Sequence, residues 1–184
     1  GWEPGVLEAV LAQTQLAAVV CTPACYARVA SAAVSEGSRV THIIVTEVAD
    51  EMCARVGAVA CVGLPDVLAT ASAADPTQCW YVERDAGMAH TILHTSGTTG
   101  LPKGVVYTDG LWLANMQSYE GAQVGFSYMP LAFITDRHTV YTALWNGGCV
   151  GIATARQGGD TAQIFRDLLA VRPTVLKGVP AFWE

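Results

Sequence analysis

Short apolar runs alternate with stretches of helical character along the whole chain, and this alternation limits the fold more than any other feature. Pro4 opens an amphipathic segment reaching about residue 15, and "LAAVVC" (16–21) follows as a short run of strand type. Thr22 and Pro23 begin a second helix that Gly37 can close, and "THIIVTE" (41–47) is the next strand. Residues 49–72 carry one or two weak helices around "AVACVG", and 73–89, with Asp75-Pro76 and the charged Glu83, Arg84 and Asp85, read as a connecting loop. "HTIL" (90–93) is extended and residues 109–119 are helical; "FSYMPL" (126–131) is extended again. Residues 135–145 form a helix stopped by Gly147 and Gly148, and "CVGIAT" (149–154) is a strand. Asp160 or Thr161 caps "AQIFRDLLAV", Pro173 ends it, and "TVLKGV" (174–179) is a last buried strand. Short strands separated by helices of about ten residues predict βαβ units, hence an α/β fold of mainly parallel sheets flanked by helices.

One segment breaks the apolar rhythm. Residues 94–105 read "HTSGTTGLPKGV", following the strand candidate "HTIL" and therefore at a strand's carboxyl end, where ligands of open α/β sheets bind. Gly97, Gly100 and Gly104 permit positive φ and a close backbone approach to a ligand. Thr95, Ser96, Thr98 and Thr99 add hydroxyl donors, Lys103 adds a mobile cation, and Pro102 stiffens the exit. Together with backbone N–H groups these side chains suit phosphate oxygens, so a polyphosphate is the expected ligand. A Walker A loop is excluded by counting: from Gly97, Pro102 stands where the second glycine belongs, and Gly104 follows the lysine in place of Ser or Thr.

The net charge of −6 gives no general attraction for nucleic acid or an anionic membrane, so a bound anion must be held by local groups. Apolar residues make up 52% and charged ones 14%, rich in core formers for 184 residues; part of that apolar surface is expected to pack on further sequence. The start without Met, and the end at "VPAFWE" with Pro180 placed to open a helix, carry the same expectation of a fragment. The six cysteines form no CxxC pair and the four histidines stand at no metal-ligand spacing from them, which predicts buried free thiols in a reducing compartment. No run approaches the length of a membrane span and no signal-peptide pattern opens the chain, so a cytoplasmic or other intracellular setting is expected.

"TSGTTGLPKG" (95–104) resembles the phosphate-binding signature of the acyl-adenylate-forming superfamily of acyl-CoA synthetases, carboxylic acid reductases, peptide-synthetase adenylation domains and luciferases. "MPLAFITDRHTVYTALWNGGCVGIA" and "LLAVRPTVLKGVPAFWE" are similar to later segments of long-chain acyl-CoA synthetases and carboxylic acid reductases, while residues 1–85 match only as helix and strand units. The resemblance implies that residues 1–184 are part of the large N-terminal AMP-binding domain, with 1–85 preceding the phosphate loop and 86–184 carrying the loop and half of an acyl tunnel. It implies ATP-dependent activation of a carboxylic acid, most simply a fatty acid, to an acyl-adenylate, then transfer to CoA. Two other outcomes stay open: the adenylation domain of a carboxylic acid reductase, and a nucleotide-binding homologue without catalysis.

By the same resemblance, Thr95, Ser96, Gly97, Thr98, Thr99, Gly100 and Lys103 grip the leaving pyrophosphate, with Thr95 a magnesium ligand beside a carboxylate from elsewhere. The family's adenine and ribose contacts and its late lysine have no counterpart among these residues, so no catalytic set is complete and residues 1–184 alone are expected to be inactive. Phe133 stands where relatives carry His, and together with Ile134 it is the candidate wall of the acyl tunnel; Phe133 as plain core is the competing reading. Ile134 takes the place where amino-acid-activating relatives carry Asp, which argues against an amino-acid substrate. Asp136 and Arg137 are expected to form an internal ion pair at a helix start, and Trp112, Trp145 and Trp183 to serve packing.

Overall fold

The computed structural model describes residues 3–47, 52–72, 82–95, 100–116, 121–155 and 159–178. The chain divides into two compact units, Gly1–Val82 with Ser96–Pro102 and Glu83–Thr95 with Lys103–Glu184.

In the first unit, α1 (Pro4–Thr14) and α2 (Pro23–Ala33) each begin on a proline, where the missing N–H is no loss and φ is already helical. α1 stops as Gln15 turns left-handed (φ 53°) and returns its N–H to Leu11 O. Strands β1 (Ala18–Cys21), β2 (His42–Val45), β3 (Arg55–Val56) and β4 (Val59–Gly63) form one sheet in the order β1-β2-β4-β3. β1, β2 and β4 run parallel, and β3 folds back antiparallel on β4 through a turn at Gly57, φ 58°. Ile43 and Val45 of β2 alternate inward with Val59 and Cys61 of β4, packing with Leu11 and with Tyr26, Val29 and Ala33 of α2.

The helices expected around "AVACVG" are replaced there by β4, and among the described residues of that region only α3 (Leu64–Ser72) is helical. A five-residue apolar run is too short to declare its own period. Here the free edge of β2 takes it as a partner, and every second side chain of the new strand then faces the core.

The second unit starts with an antiparallel ribbon of β5 (Ala89–Thr95) and β6 (Lys103–Thr108), followed by α4 (Asp109–Asn115), whose first turn is capped by Thr108 Oγ1 accepting from Leu111 N. A βαβ unit follows: β7 (Val124–Ser127), α5 (Ile134–Trp145) and β8 (Cys149–Ile152), with β7 and β8 parallel. α6 (Thr161–Val171) is capped by Asp160, which accepts from Gln163 N, and ends as Arg172 turns left-handed ahead of Pro173. Phe126, Tyr128, Met129, Ala153 and Ile164 form the core of this unit.

The α/β class stands, with mixed sheets. β6 was not expected, because Gly, Pro and Lys around residue 103 mask the β-branched run "GVVYT" that follows. The glycine-rich stretch thus lies in sequence between two antiparallel strands, not at the end of a parallel one. "TVLKGV" contributes only a single bridge, Gly125 to Val175, and β7 ends at Ser127, so residues 128–131 leave the sheet. α4 closes at Asn115, and Tyr119 lies outside the described residues.

Candidate functional site

The register of the β5–β6 ribbon sets Thr95 opposite Lys103 and His94 opposite Gly104. Thr95 and Lys103 are both exposed, and Thr95 Oγ1 donates only a long 3.4 Å bond to Lys103 O, so hydroxyl and amine are both available to an anion. Gly104 does not use a positive φ; it is required by proximity, since a Cβ there would stand 2.7 Å from Ile92 Cγ2. Gly100 does adopt the left-handed region, φ 99°, where a side chain is strained. Ser96, Gly97, Thr98 and Thr99 lie outside the described residues.

In the second candidate segment Phe133 and Ile134 lie in different surroundings. Phe133 is 51% exposed at the N-cap of α5, so it is not core. Ile134 lines a cavity of about 200 Å³ with Tyr107, Leu111, Trp112, Asn115 and His138; Phe133 is not among that lining. His138, four residues beyond Ile134 and on the same helical face, brings an imidazole to this cavity beside Asn115 and Tyr107, and the (i, i+4) spacing was the sequence signal for it.

Asp136 and Arg137 do not pair with each other. Asp136 is 1% exposed and accepts from Ser127 Oγ (2.6 Å), Tyr128 N (3.2 Å) and Met129 N (3.3 Å), tying the start of α5 to the end of β7. Arg137 donates through Nε to Leu131 O (3.0 Å) and through Nη1 to Thr91 Oγ1 (2.6 Å). Consecutive helical residues point about 100° apart, so one enters the core while the other reaches along the surface.

Two polar clusters were missed from sequence. Arg84 Nε donates to Asp109 Oδ2 (2.7 Å), and His90 Nδ1 lies 2.9 Å from Asp109 Oδ1. The Arg84 hydrogen bond, with a smaller contribution from His90, holds the Asp109 carboxyl below its ordinary value. This cluster borders a cavity of about 480 Å³ whose other walls include Trp112, Tyr141 and Trp145. Trp112 is packed as expected, Trp145 is more than half exposed, and Trp183 lies outside the described residues.

In the other cluster, Lys177 Nζ is 2.6 Å from His138 Nδ1, and His138 Nε2 is 2.9 Å from Asn115 O. Burial pushes the Lys177 amine below its ordinary value.

Among the described residues no three His, Cys, Asp or Glu side chains gather closely enough to hold a metal, so Thr95 there offers at most a single hydroxyl to a magnesium ion. Five described cysteines are free; Cys61 is buried, whereas Cys53 and Cys149 are exposed, against the expectation of buried thiols. No described helix is long and apolar enough to cross a membrane.

The hydroxyl- and glycine-rich stretch lies in sequence between the two strands of a β-ribbon, a βαβ unit follows, and the chain belongs to the AMP-binding enzyme family, whose model matches residues 1–184. Over 100 residues it is 38% identical to peroxisomal long chain acyl-CoA synthetase 6 of Arabidopsis thaliana, covering 51% of this chain and 14% of that protein. It is 31% identical over 100 residues to a carboxylic acid reductase of Mycobacterium tuberculosis, covering 50% of this chain and 8% of that one. The fold matches that of the A-PCP didomain of carboxylic acid reductase from Segniliparus rugosus in complex with AMP, with a TM-score of 0.75 and 20% identity over 98% of this chain and 28% of the other. The matched region is thus a small part of each of these relatives.

Proposed function

We propose that this chain supplies the pyrophosphate-gripping part of an ATP-dependent, AMP-forming acid–thiol ligase, which activates a fatty acid to its acyl-adenylate and passes the acyl group to CoA. The observation that carries this reading is the ribbon register: it sets Thr95 opposite Lys103 at the two ends of a loop whose sequence resembles the family's phosphate-binding signature. In adenylation a carboxylate oxygen attacks the α-phosphate and pyrophosphate leaves, so two anions must be brought together and the leaving charge stabilised. Lys103 and the Thr95 hydroxyl meet the β- and γ-phosphate oxygens, joined by Ser96, Gly97, Thr98, Thr99 and Gly100. Magnesium, when bound, would neutralise part of the phosphate charge, with Thr95 as one ligand and a carboxylate from outside residues 1–184. Ile134 forms part of the wall that receives the acyl chain, and Phe133 stands at the start of the same helix.

A carboxylic acid reductase adenylation domain is the second reading, favoured by the 31% identity to the Mycobacterium tuberculosis protein. There the acyl group passes to a carrier arm.

Acid-dependent pyrophosphate release from the intact protein, measured over a panel of fatty acids, tests the reading. Lys103→Ala is expected to lower kcat/KM for ATP about a hundredfold with an unchanged melting temperature; release at the wild-type rate would sink the assignment of the loop. Ile134→Phe is expected to shift preference toward shorter acids. Acyl-CoA formation separates the ligase from the reductase, which leaves free CoA unacylated.

A further inference from the structure

Lys177, His138 and Asn115 are arranged as a nucleophile, its base and the group that orients the base. Asn115 O can only accept, so the 2.9 Å contact fixes the hydrogen of the neutral imidazole on Nε2. Nδ1 is then the lone-pair nitrogen, and it faces Lys177 Nζ at 2.6 Å, with Thr142 Oγ1 as a second donor at 3.1 Å. The ring is held further by Trp112, stacked at a centroid distance of 6.3 Å. His138 is the titratable group facing Lys177 from α5; no carboxylate forms an ion pair with the amine among the described residues.

A half-buried lysine with a neutral imidazole as partner, in place of a carboxylate, keeps more of its amine uncharged near neutral pH than a solvated one. Burial lowers the Lys177 amine below its ordinary value. The chain contains only one other lysine, Lys103, which is exposed. His138 also walls the cavity lined by Ile134, Tyr107 and Leu111.

We propose that Lys177 is an acylation site, modified by acyl groups activated as mixed anhydrides with a phosphate, and that His138 is the base for that step. Uncharged Nζ attacks the acyl carbon, the carbon–oxygen bond to phosphate breaks, and the phosphate leaves with the electron pair. One Nζ proton passes to His138 Nδ1 and then to solvent, and an amide remains. Nothing is oxidised or reduced. The acyl donor can be a free acyl phosphate or an acyl-adenylate made by the protein itself, and only the second source rests on the function proposed above.

Incubating the purified intact protein with acetyl phosphate and mapping acetyl-lysine by mass spectrometry tests the site without adenylation. Lys177 is expected to be labelled at least tenfold faster than Lys103, and His138→Gln to slow Lys177 about a hundredfold while leaving Lys103 unchanged. Equal rates at the two lysines, or an unlabelled Lys177, would overturn the proposal. If His138→Gln fails to fold by circular dichroism, the pH profile of the wild type decides: half-maximal labelling of Lys177 at lower pH than Lys103 supports the site, and coincident profiles refute it. A second arm replaces acetyl phosphate with ATP, magnesium and octanoate. Octanoylation of Lys177 there assigns the protein's own adenylate as a donor, and labelling in the first arm alone assigns a free acyl phosphate.

Discussion

Ser127 Oγ donates to Asp136 Oδ2 over 2.6 Å in a place closed to water, with the end of a strand on one side and the first turn of a helix on the other. The second oxygen of the same carboxyl accepts from the N–H groups of Tyr128 and Met129, the two residues that follow β7. Asp136 thereby accepts three hydrogen bonds from the residues at and just after the end of β7, and ties that stretch to the first turn of α5.

Asp136→Asn replaces one acceptor oxygen by a donor facing donors, and Asp136→Ala removes both. We expect losses of about 1–3 kcal/mol for Asn and about 2–4 kcal/mol for Ala in denaturant unfolding of the intact protein. An Asn variant as stable as wild type would show that the carboxyl does not fix this segment.

Gly148 follows the stop of α5, and a Cβ there would fall 1.9 Å from the Gln123 carbonyl oxygen. Because the obstruction is backbone just ahead of β7, no rotamer change relieves it. Gly148→Ala is expected to cost about 3 kcal/mol or more, measured as a drop in unfolding midpoint. Gly5, in the first turn of α1 with nothing within 4 Å of an added Cβ, is the control, and Gly5→Ala should raise stability by up to about 0.5 kcal/mol.

The cluster of Arg84, His90 and Asp109 predicts a pH dependence with a defined sign. Asp109 is depressed by the Arg84 hydrogen bond, so the folded state binds fewer protons than the unfolded chain. Its contribution to stability is present above the ordinary carboxylate range and is lost as pH falls through the lowered folded value. Unfolding midpoints measured from pH 7 down to pH 3 should fall less steeply for Asp109→Asn than for wild type; identical slopes would exclude the linkage.

The sequence by itself determined the α/β class, the starts of α1, α2 and α6, and the family, because these depend on local signals. Proline sets φ at a first helical turn, Asp160 caps the turn that follows it, and "TSGTTGLPKG" is a contiguous string by which the family can be read in one dimension. Tertiary structure decided what depends on partners distant in the chain. "AVACVG" became a strand because β2 offered it an edge, and the glycine- and hydroxyl-rich stretch proved to lie in sequence between the strands of an antiparallel ribbon that pairs Thr95 with Lys103. The acidic and basic neighbours Asp136 and Arg137 separated because helical geometry aims one inward and the other outward. Lys177 met His138 across 39 positions, a contact no spacing rule foretells, since only the packing of the last segment against α5 brings the two side chains together.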